Sequence, residues 1–365
     1  MPETPTLWQR VGRHQLVWPV LALVVLLVVN VAAKPRFLDV RMQDGHLYGN
    51  VIDIMRNSAP VMLVAIGMTL VIATRGIDLS VGAIAAIAAA VACTRIVGAG
   101  DEGAATTAIM AMTYAVAVCV ALGAWNGFLV SVLGIQPIIA TLVLMVTGRG
   151  ISMAITDGQI TTVNNSWFSD LASGYVLTLP IAFLVALGVL GATALLTRRT
   201  ALGMLIEAVG INPEASRLAG VRARTIIWTV YAFSGLCAGL AGLVIAANTS
   251  SVNANSLGLW IELDAILAVV IGGTSLAGGR FSLLGTFVGA LFIATLARTI
   301  NNIGIPSDLN YLFKAVVVIV VCLLQSPKAR AVLRLRRTAG PPSAPPGSGT
   351  PGEPRPVLAK AGSPT

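Results

Sequence analysis

The sequence predicts an all-α, polytopic membrane protein of about ten transmembrane helices. Three observations predict it. Of 365 residues, 56% are hydrophobic and 11% charged, with a mean hydropathy of +0.85, whereas a soluble domain carries about 25% charged residues. A chain this apolar cannot hide its side chains in one aqueous core, so lipid must be part of its solvent. Apolar runs recur near 16–33, 55–73, 79–97, 105–133, 136–155, 175–197, 226–247, 264–276, 281–299 and 311–326. Each is compared with the ~20 residues that cross a bilayer at ~1.5 Å per residue. Finally, basic residues cluster in alternate connections, as the positive-inside rule requires.

Taken in order, the first run follows Arg10 and Arg13 in a short N-terminal segment, 1–15. It resembles a signal peptide in its flanks, but Lys34-Pro35-Arg36 is no small-residue cleavage site, so it is expected to be a retained helix. The transmembrane domain is expected to cover 16–326. Within it, Gly123/Gly127, Gly235/Gly239 and Gly285/Gly289 lie four apart, a spacing that lets helix backbones approach closely in lipid. The eighth run is short and 272–285 is rich in glycine, which points to a discontinuous helix or to a plain connector.

With both termini cytoplasmic, Arg198, Arg199, Arg217, Arg222 and Arg224 share one cytoplasmic connection. Lys328, Arg330, Arg334, Arg336 and Arg337 follow the last run on the same side. The same count places 156–174 and 248–262 outside, and neither contains Lys or Arg. Lys34, Arg36 and Arg41 are an exception that Asp39 and Asp44 partly offset. The formal charge of +9 is thereby explained by insertion into a lipid bilayer, and nucleic acid is not an expected partner. Residues 327–365 begin basic and turn rich in Pro and Gly beyond Thr338, a composition that is expected to be disordered.

Several chemistries are excluded. There is no G-x-x-x-x-G-K-[ST] loop, no H-E-x-x-H and no G-x-S-x-G, and the only histidines are His14 and His46. Cys93, Cys119, Cys237 and Cys322 lie singly in apolar runs and read as small hydrophobes rather than metal ligands. The chain is therefore expected to be no enzyme and to hold no cofactor. An ion-coupled secondary transporter, the alternative function, needs intramembrane carboxylates. The candidates Asp78, Glu262 and Asp264 all fall near span ends, where helix-capping and interfacial roles also suit them. A purely structural membrane anchor is the third class, disfavoured by the many glycines and interrupted runs.

Two groups of residues are candidates for function. The connection 200–220 is long and helical in content. Asn212 followed by Pro213 starts a helix, Glu214 occupies its first turn, Ala215, Leu218 and Ala219 form a small apolar face, and Gly220 can close it. Such a helix can fit a groove on a partner or lie on lipid headgroups. For a path through the bilayer, the candidates are Asp78, Ser80, Trp125, Asn126 and Trp260. A neutral polar solute needs a few hydrogen-bonding groups and an aromatic face in an apolar pore. Trp125 and Asn126 sit between the glycines of a packing pair, which suits helix packing as well, and Asp78 and Ser80 suit a cap on the third span. The polar stretch 248–255 with Trp260 and Glu262 could meet an external partner.

These segments resemble a known family. Glu214-Ala215-Ser216-x-x-x-Gly220 is similar to the E-A-A-x-x-x-G coupling element of ABC-importer permeases, with Ser216 in place of the second alanine. Residues 73–82 (ATRGIDLSVG), 207–212 (EAVGIN) and 268–279 (AVVIGGTSLAGG) resemble, in order, signature segments of the ribose-type sugar permeases. Residues 43–53 (QDGHLYGNVID) and 259–264 (LWIELD) are most similar to galactofuranose-importer permeases. Arg75 departs from the family, where a glycine is expected. The resemblance implies a permease of the inner membrane that imports galactofuranose, ribose or a related furanose or pentose. It implies an ABC ATP-binding subunit that binds the ATP, a second permease subunit (a different chain, or a second copy) and an extracytoplasmic sugar-binding protein. Glu207, Asn212, Glu214, Ala215 and Gly220 would then couple the ATPase to the bundle.

Overall fold

The computed structural model describes residues 17–43, 46–176, 178–304, 306 and 309–325. The expected N-terminal segment 1–15 and the Pro/Gly-rich tail 327–365 lie outside the described residues. The helices are α1 (Val17–Ala33), α2 (Asn50–Ala73), α3 (Val81–Val97), α4 (Ala105–Ser131), α5 (Pro137–Ile155), α6 (Ser166–Ser173), α7 (Ile181–Arg199), α8 (Leu202–Ile211), α9 (Pro213–Leu218), α10 (Ala223–Thr249), α11 (Ile261–Ile271), α12 (Leu283–Ile303) and α13 (Asn310–Gln325). Three small antiparallel ladders punctuate the connections: β1 (Arg41–Gln43) with β2 (His46–Tyr48), β3 (Thr161–Thr162) with β6 (Ser251–Val252), and β4 (Tyr175–Val176) with β5 (Leu179–Pro180).

Among the described residues, six helices are long and apolar enough to cross a membrane: α2, α4, α5, α7, α10 and α12. They coincide with six of the expected runs. Three other runs form the shorter apolar helices α1, α3 and α13, and the eighth, expected at 264–276, is the 11-residue α11, Ile261–Ile271. The sequence count of about ten full spans is therefore not matched helix for helix. Two breaks have visible causes. Between α2 and α3 the chain turns at Arg75, with φ 65°, and continues as a non-helical segment to Ser80. Before α11 it turns at Gly258 and Trp260, with φ 66° and 67°.

The glycine pairs locate the closest helix contacts. The pairs in α4 and α10 meet each other: a side chain on Gly123 would strike the backbone of Tyr231 and Gly235, and one on Gly127 would strike Trp228. Gly242 of α10 lies against the backbone of Ala85 in α3. Gly285 and Gly289 of α12 lie against Gly272 and Ala268. Lipid gives apolar helices no hydrophobic reason to associate, so this close van der Waals contact is what holds them. Hydroxyls add cross-ties, Thr69 to Thr286 between α2 and α12 at 2.7 Å and Asn30 to Thr299 between α1 and α12 at 2.6 Å. The resulting core is built from α2, α3, α7, α10, α11 and α12, while α4 and α5 leave Ile109, Met110, Trp125, Ile139, Val143 and Val146 on the outside. Cys93, Cys119 and Cys237 are buried and unpaired, as small hydrophobes would be.

Candidate functional site

Two sites take shape, one where α3 and α11 meet inside the bundle and one at the α8–α9 segment. At the first, two non-helical segments approach one another inside the bundle. Residues 74–80 leave the end of α2 and carry Asp78 to Ser234, midway along α10. Asp78 is fully buried and accepts three hydrogen bonds: from the Ser80 amide (3.1 Å), the Ser80 hydroxyl (2.6 Å) and the Ser234 hydroxyl (2.8 Å). Asn126 of α4 donates to the Ser80 hydroxyl at 2.8 Å. The Asn126 carbonyl oxygen and the Tyr231 hydroxyl are buried nearby with no hydrogen-bond partner among the described residues. Asp78, Ser80 and Asn126 are thus one cluster that ties α3, α4 and α10 together.

Ser80 does not cap α3 in the way expected. Its backbone already has the helical values φ −83° and ψ −10°, and its hydroxyl is committed to Asp78 instead of a first-turn amide. Trp125 parts from its neighbour. Successive helix residues point about 100° apart, so Asn126 turns inward while Trp125 stays 55% exposed and stacks on Phe128. Trp260 is also partly exposed, at the left-handed residue preceding α11. The structure therefore does not bring the two tryptophans to the Asp78 cluster.

From the other side, residues 253–260 bring Gly258 and the head of α11 onto the head of α3. A side chain at Gly82 would overlap the Glu262 carboxylate and the Gly258 carbonyl. Glu262 is buried in the first turn of α11, and Asp78 lies just ahead of α3. Both carboxylates lie at the N-terminal end of a helix. Short helices meeting end to end with such groups are the arrangement found where a bilayer is locally interrupted for a permeant solute.

Beside this junction lies a cavity of about 300 Å³ whose lining includes Arg56, Asn57, Asn248, Gly258, Ile261 and Asp264. An arginine, two amides and a carboxylate among Pro60, Val61 and Val244 suit a small solute bristling with hydroxyls. The sequence reading reached Asn248 and Asp264 but passed over Arg56 and Asn57, which sit at the start of an apolar run. It also passed over cations inside the runs, among them Arg149, Arg298 and Lys314. Arg149 donates to the carbonyls of Ala254 (3.1 Å) and Leu257 (2.6 Å), pinning the 253–260 segment. Arg298 bridges Asn50 and Asp53, and Lys314 holds Asp264 at 2.8 Å. A charge within an apolar run was the available signal.

The second site is the α8–α9 segment. The Asn212 side chain accepts from the amides of Glu214 (3.1 Å) and Ala215 (3.0 Å), so the capping expected from Asn-Pro is formed. At the far end Gly220 has φ 84°, its amide meets the Arg217 carbonyl at 3.0 Å, and the Val221 amide reaches Ser216 at 2.9 Å. These two bonds close a six-residue helix in the Schellman pattern, which needs the left-handed residue that glycine supplies. Glu207 is half-buried on α8, whereas Glu214, Ala215 and Gly220 are exposed. Met204, Ile211 and Leu218 are exposed at 68%, 61% and 85%. Leu218, on the short, well-capped α9, forms a small apolar knob suited to a groove, while Met204 and Ile211 belong to the preceding α8. Asn212→Ala is expected to lower local stability by about 1 kcal/mol, seen as faster amide exchange at residues 214 and 215 with exchange at buried Ala85 unchanged.

The sequence compares with known proteins as follows. The profile of a family described as "Branched-chain amino acid transport system / permease component" matches residues 50–322. The chain is 47% identical to the galactofuranose transporter permease protein YtfT of Escherichia coli (strain K12) over 338 residues, 92% of this chain and 96% of that protein. It is 42% identical to the fructose import permease protein FruF of Bifidobacterium longum (strain NCC 2705), over 86% of this chain and 88% of that one. Identity to the ribose import permease protein RbsC of Escherichia coli (strain K12) is 35%, over 84% and 92%. No solved structure matches.

Proposed function

The chain belongs to the family of branched-chain amino acid transport system / permease components, and from that premise we propose that it is the membrane-spanning subunit of an ATP-driven importer of a small sugar. The observation that carries the substrate class is that relatives matching across more than four-fifths of the chain are named for galactofuranose, fructose and ribose. The family description mentions amino acids, but a zwitterion would need a paired charge site. The cavity's Arg56 and Asp264 already face Asp53 at 3.3 Å and Lys314 at 2.8 Å, which leaves Asn57 and Asn248 as amides for hydroxyl groups.

The energy source is a separate ATP-binding subunit, and ATP binds there. The α9 knob, with Glu207 and Asn212 behind it, docks on that subunit from the cytoplasm, the side to which the clusters of basic residues also assign both chain termini. A second permease subunit completes the pathway, and an extracytoplasmic binding protein delivers sugar to the mouth beside residues 248–264. The localisation is the inner membrane. An ion-coupled mechanism is disfavoured because the relatives' names specify import permeases, and of its candidate carboxylates Asp264 is paired with Lys314 while Asp78 is held by Ser80 and Ser234.

The test is a mild-detergent pull-down of the tagged chain followed by mass spectrometry. Recovery of a P-loop ATPase, lost when residues 207–220 are scrambled, is the expected result. Reconstituted vesicles then report which of labelled D-galactose, D-fructose and D-ribose is taken up with ATP. A chain that purifies alone and still transports one of these sugars would overturn the ATP-driven reading.

A further inference from the structure

Arg75 occupies a position that chemistry reserves for glycine. It follows the last turn of α2, with φ 65°. Its amide meets the Ile72 carbonyl at 2.9 Å, and the next amide, Gly76, meets Val71 at 2.9 Å. This is the same helix-ending pattern as at Gly220, and it requires a left-handed residue that a side chain disfavours. The arginine side chain offers a reason for tolerating that strain. Its Nε donates to the Ala277 carbonyl at 3.1 Å, and an Nη donates to the Ile211 carbonyl at 2.5 Å. Ile211 ends α8, so that carbonyl has no partner within its own helix, and it sits at the negative end of the helix dipole.

The backbones beneath the guanidinium also touch. The Gly279 amide donates to the Ala73 carbonyl at 2.9 Å. Gly210 lies against both of these groups, and Gly278 against the Arg75 side chain, with no room for a Cβ at either. Three segments therefore converge: the end of α2, the end of α8 and the turn from α11 to α12. Each leads onward. Residues 74–80 run from Arg75 to Asp78 and the head of α3, and residues 272–279 run back to α11, whose other end meets α3 at Glu262 and Gly82.

We propose that Arg75 is a positioning residue for transport, a bridge that makes the α8–α9 segment move together with α3 and α11. The proposal rests on the reading of α9 as the ATPase-docking segment. A planar guanidinium donates in two directions at once, and a lysine ammonium on a flexible stem does not reproduce that geometry. A push on α9 then reaches residues 74–80 and the α11–α12 turn in one step. Without the bridge, α8 can shift while the other two segments stay behind.

The experiment uses the full transporter complex in lipid vesicles, carrying Arg75→Gly or Arg75→Lys. Glycine accepts the local backbone, so Arg75→Gly should fold and should still capture the ATPase subunit. The expected result is a several-fold rise in ATP hydrolysed per molecule of D-galactose, D-fructose or D-ribose taken up, with the sugar concentration for half-maximal uptake unchanged. Arg75→Lys should behave like Arg75→Gly; full recovery with lysine would mean that charge alone suffices and would overturn the bridge. A second readout is independent of sugar: spin labels on Met204→Cys and Leu276→Cys, two exposed positions, report the distance from α8 to the α11–α12 turn. One narrow distance population is expected with arginine and a broadened one with glycine, with or without ATP and vanadate. Identical distributions and identical ATP-to-sugar ratios would sink the proposal. If replacing residues 213–218 leaves the ATPase bound, the docking reading fails by itself, and the spin-label distances still decide whether Arg75 joins its segments.

Discussion

Gly242→Leu should prevent the bundle from assembling, with a loss of stability above ~3 kcal/mol. Gly242 sits on α10 where a Cβ would overlap the Ala85 carbonyl, carbonyl carbon and Cα of α3. Backbone is the obstacle, so no rotamer change relieves it, and the two helices must separate. That separation would also pull Ser234 of α10 away from Asp78, because the same face carries both contacts. The control is Gly188→Leu on α7, where nothing lies within 4 Å of an added Cβ; an effect within ~0.5 kcal/mol is expected there. Thermal unfolding of the two purified variants in one detergent, with the yield of monodisperse protein, checks the pair. Equal melting temperatures would show that α3 and α10 do not depend on this contact.

Asp78→Leu has the second largest expected effect, a loss of about 2–4 kcal/mol. The substitution leaves the Ser80 amide, the Ser80 hydroxyl and the Ser234 hydroxyl without their acceptor in a site closed to water. Each orphaned donor costs ~1–3 kcal/mol, and the hydroxyls recover part by rotating to other acceptors. Asp78→Asn keeps one acceptor oxygen and should lose about half as much. The discriminating measurement is a double-mutant cycle of Asp78→Asn with Ser234→Ala by thermal unfolding. Coupling of at least ~0.5 kcal/mol is expected for groups sharing a hydrogen bond. Strict additivity would separate Asp78 from α10 and remove the cluster as a joint between helices.

Much of this protein was readable along the chain. The spans at 55–73, 105–133, 136–155, 175–197, 226–247 and 281–299 each became a helix long enough to cross, with boundaries moved by at most six residues at either end. Asn212-Pro213 and Gly220 marked the start and stop of α9 because capping is decided within a few residues. The family was legible too, in glycine-rich segments that the comparisons extend to residues 50–322. Other features were not readable in this way. Trp125 and Asn126 are adjacent in sequence, yet one is exposed and the other buried, since hydropathy alone does not orient a helix in a bundle. The pairing of Lys314 with Asp264 was not legible either, because the two lie fifty residues apart.

By itself the sequence determined that the chain lives in lipid, where most of its helices run, which segment forms the capped α9, and which family it belongs to. Those properties depend on composition, on runs of ~20 apolar residues and on caps, all of which act locally. The tertiary structure alone decided that the starts of α3 and α11 meet at Gly82 and Glu262, and that Asp78, Ser80, Asn126 and Ser234 form one cluster. It also decided that Arg75 joins Ile211 to Ala277. The physical reason is the same each time. These are contacts between backbones and polar groups far apart in the chain, fixed by how closely glycine-bearing helices can approach, and no local pattern encodes that distance.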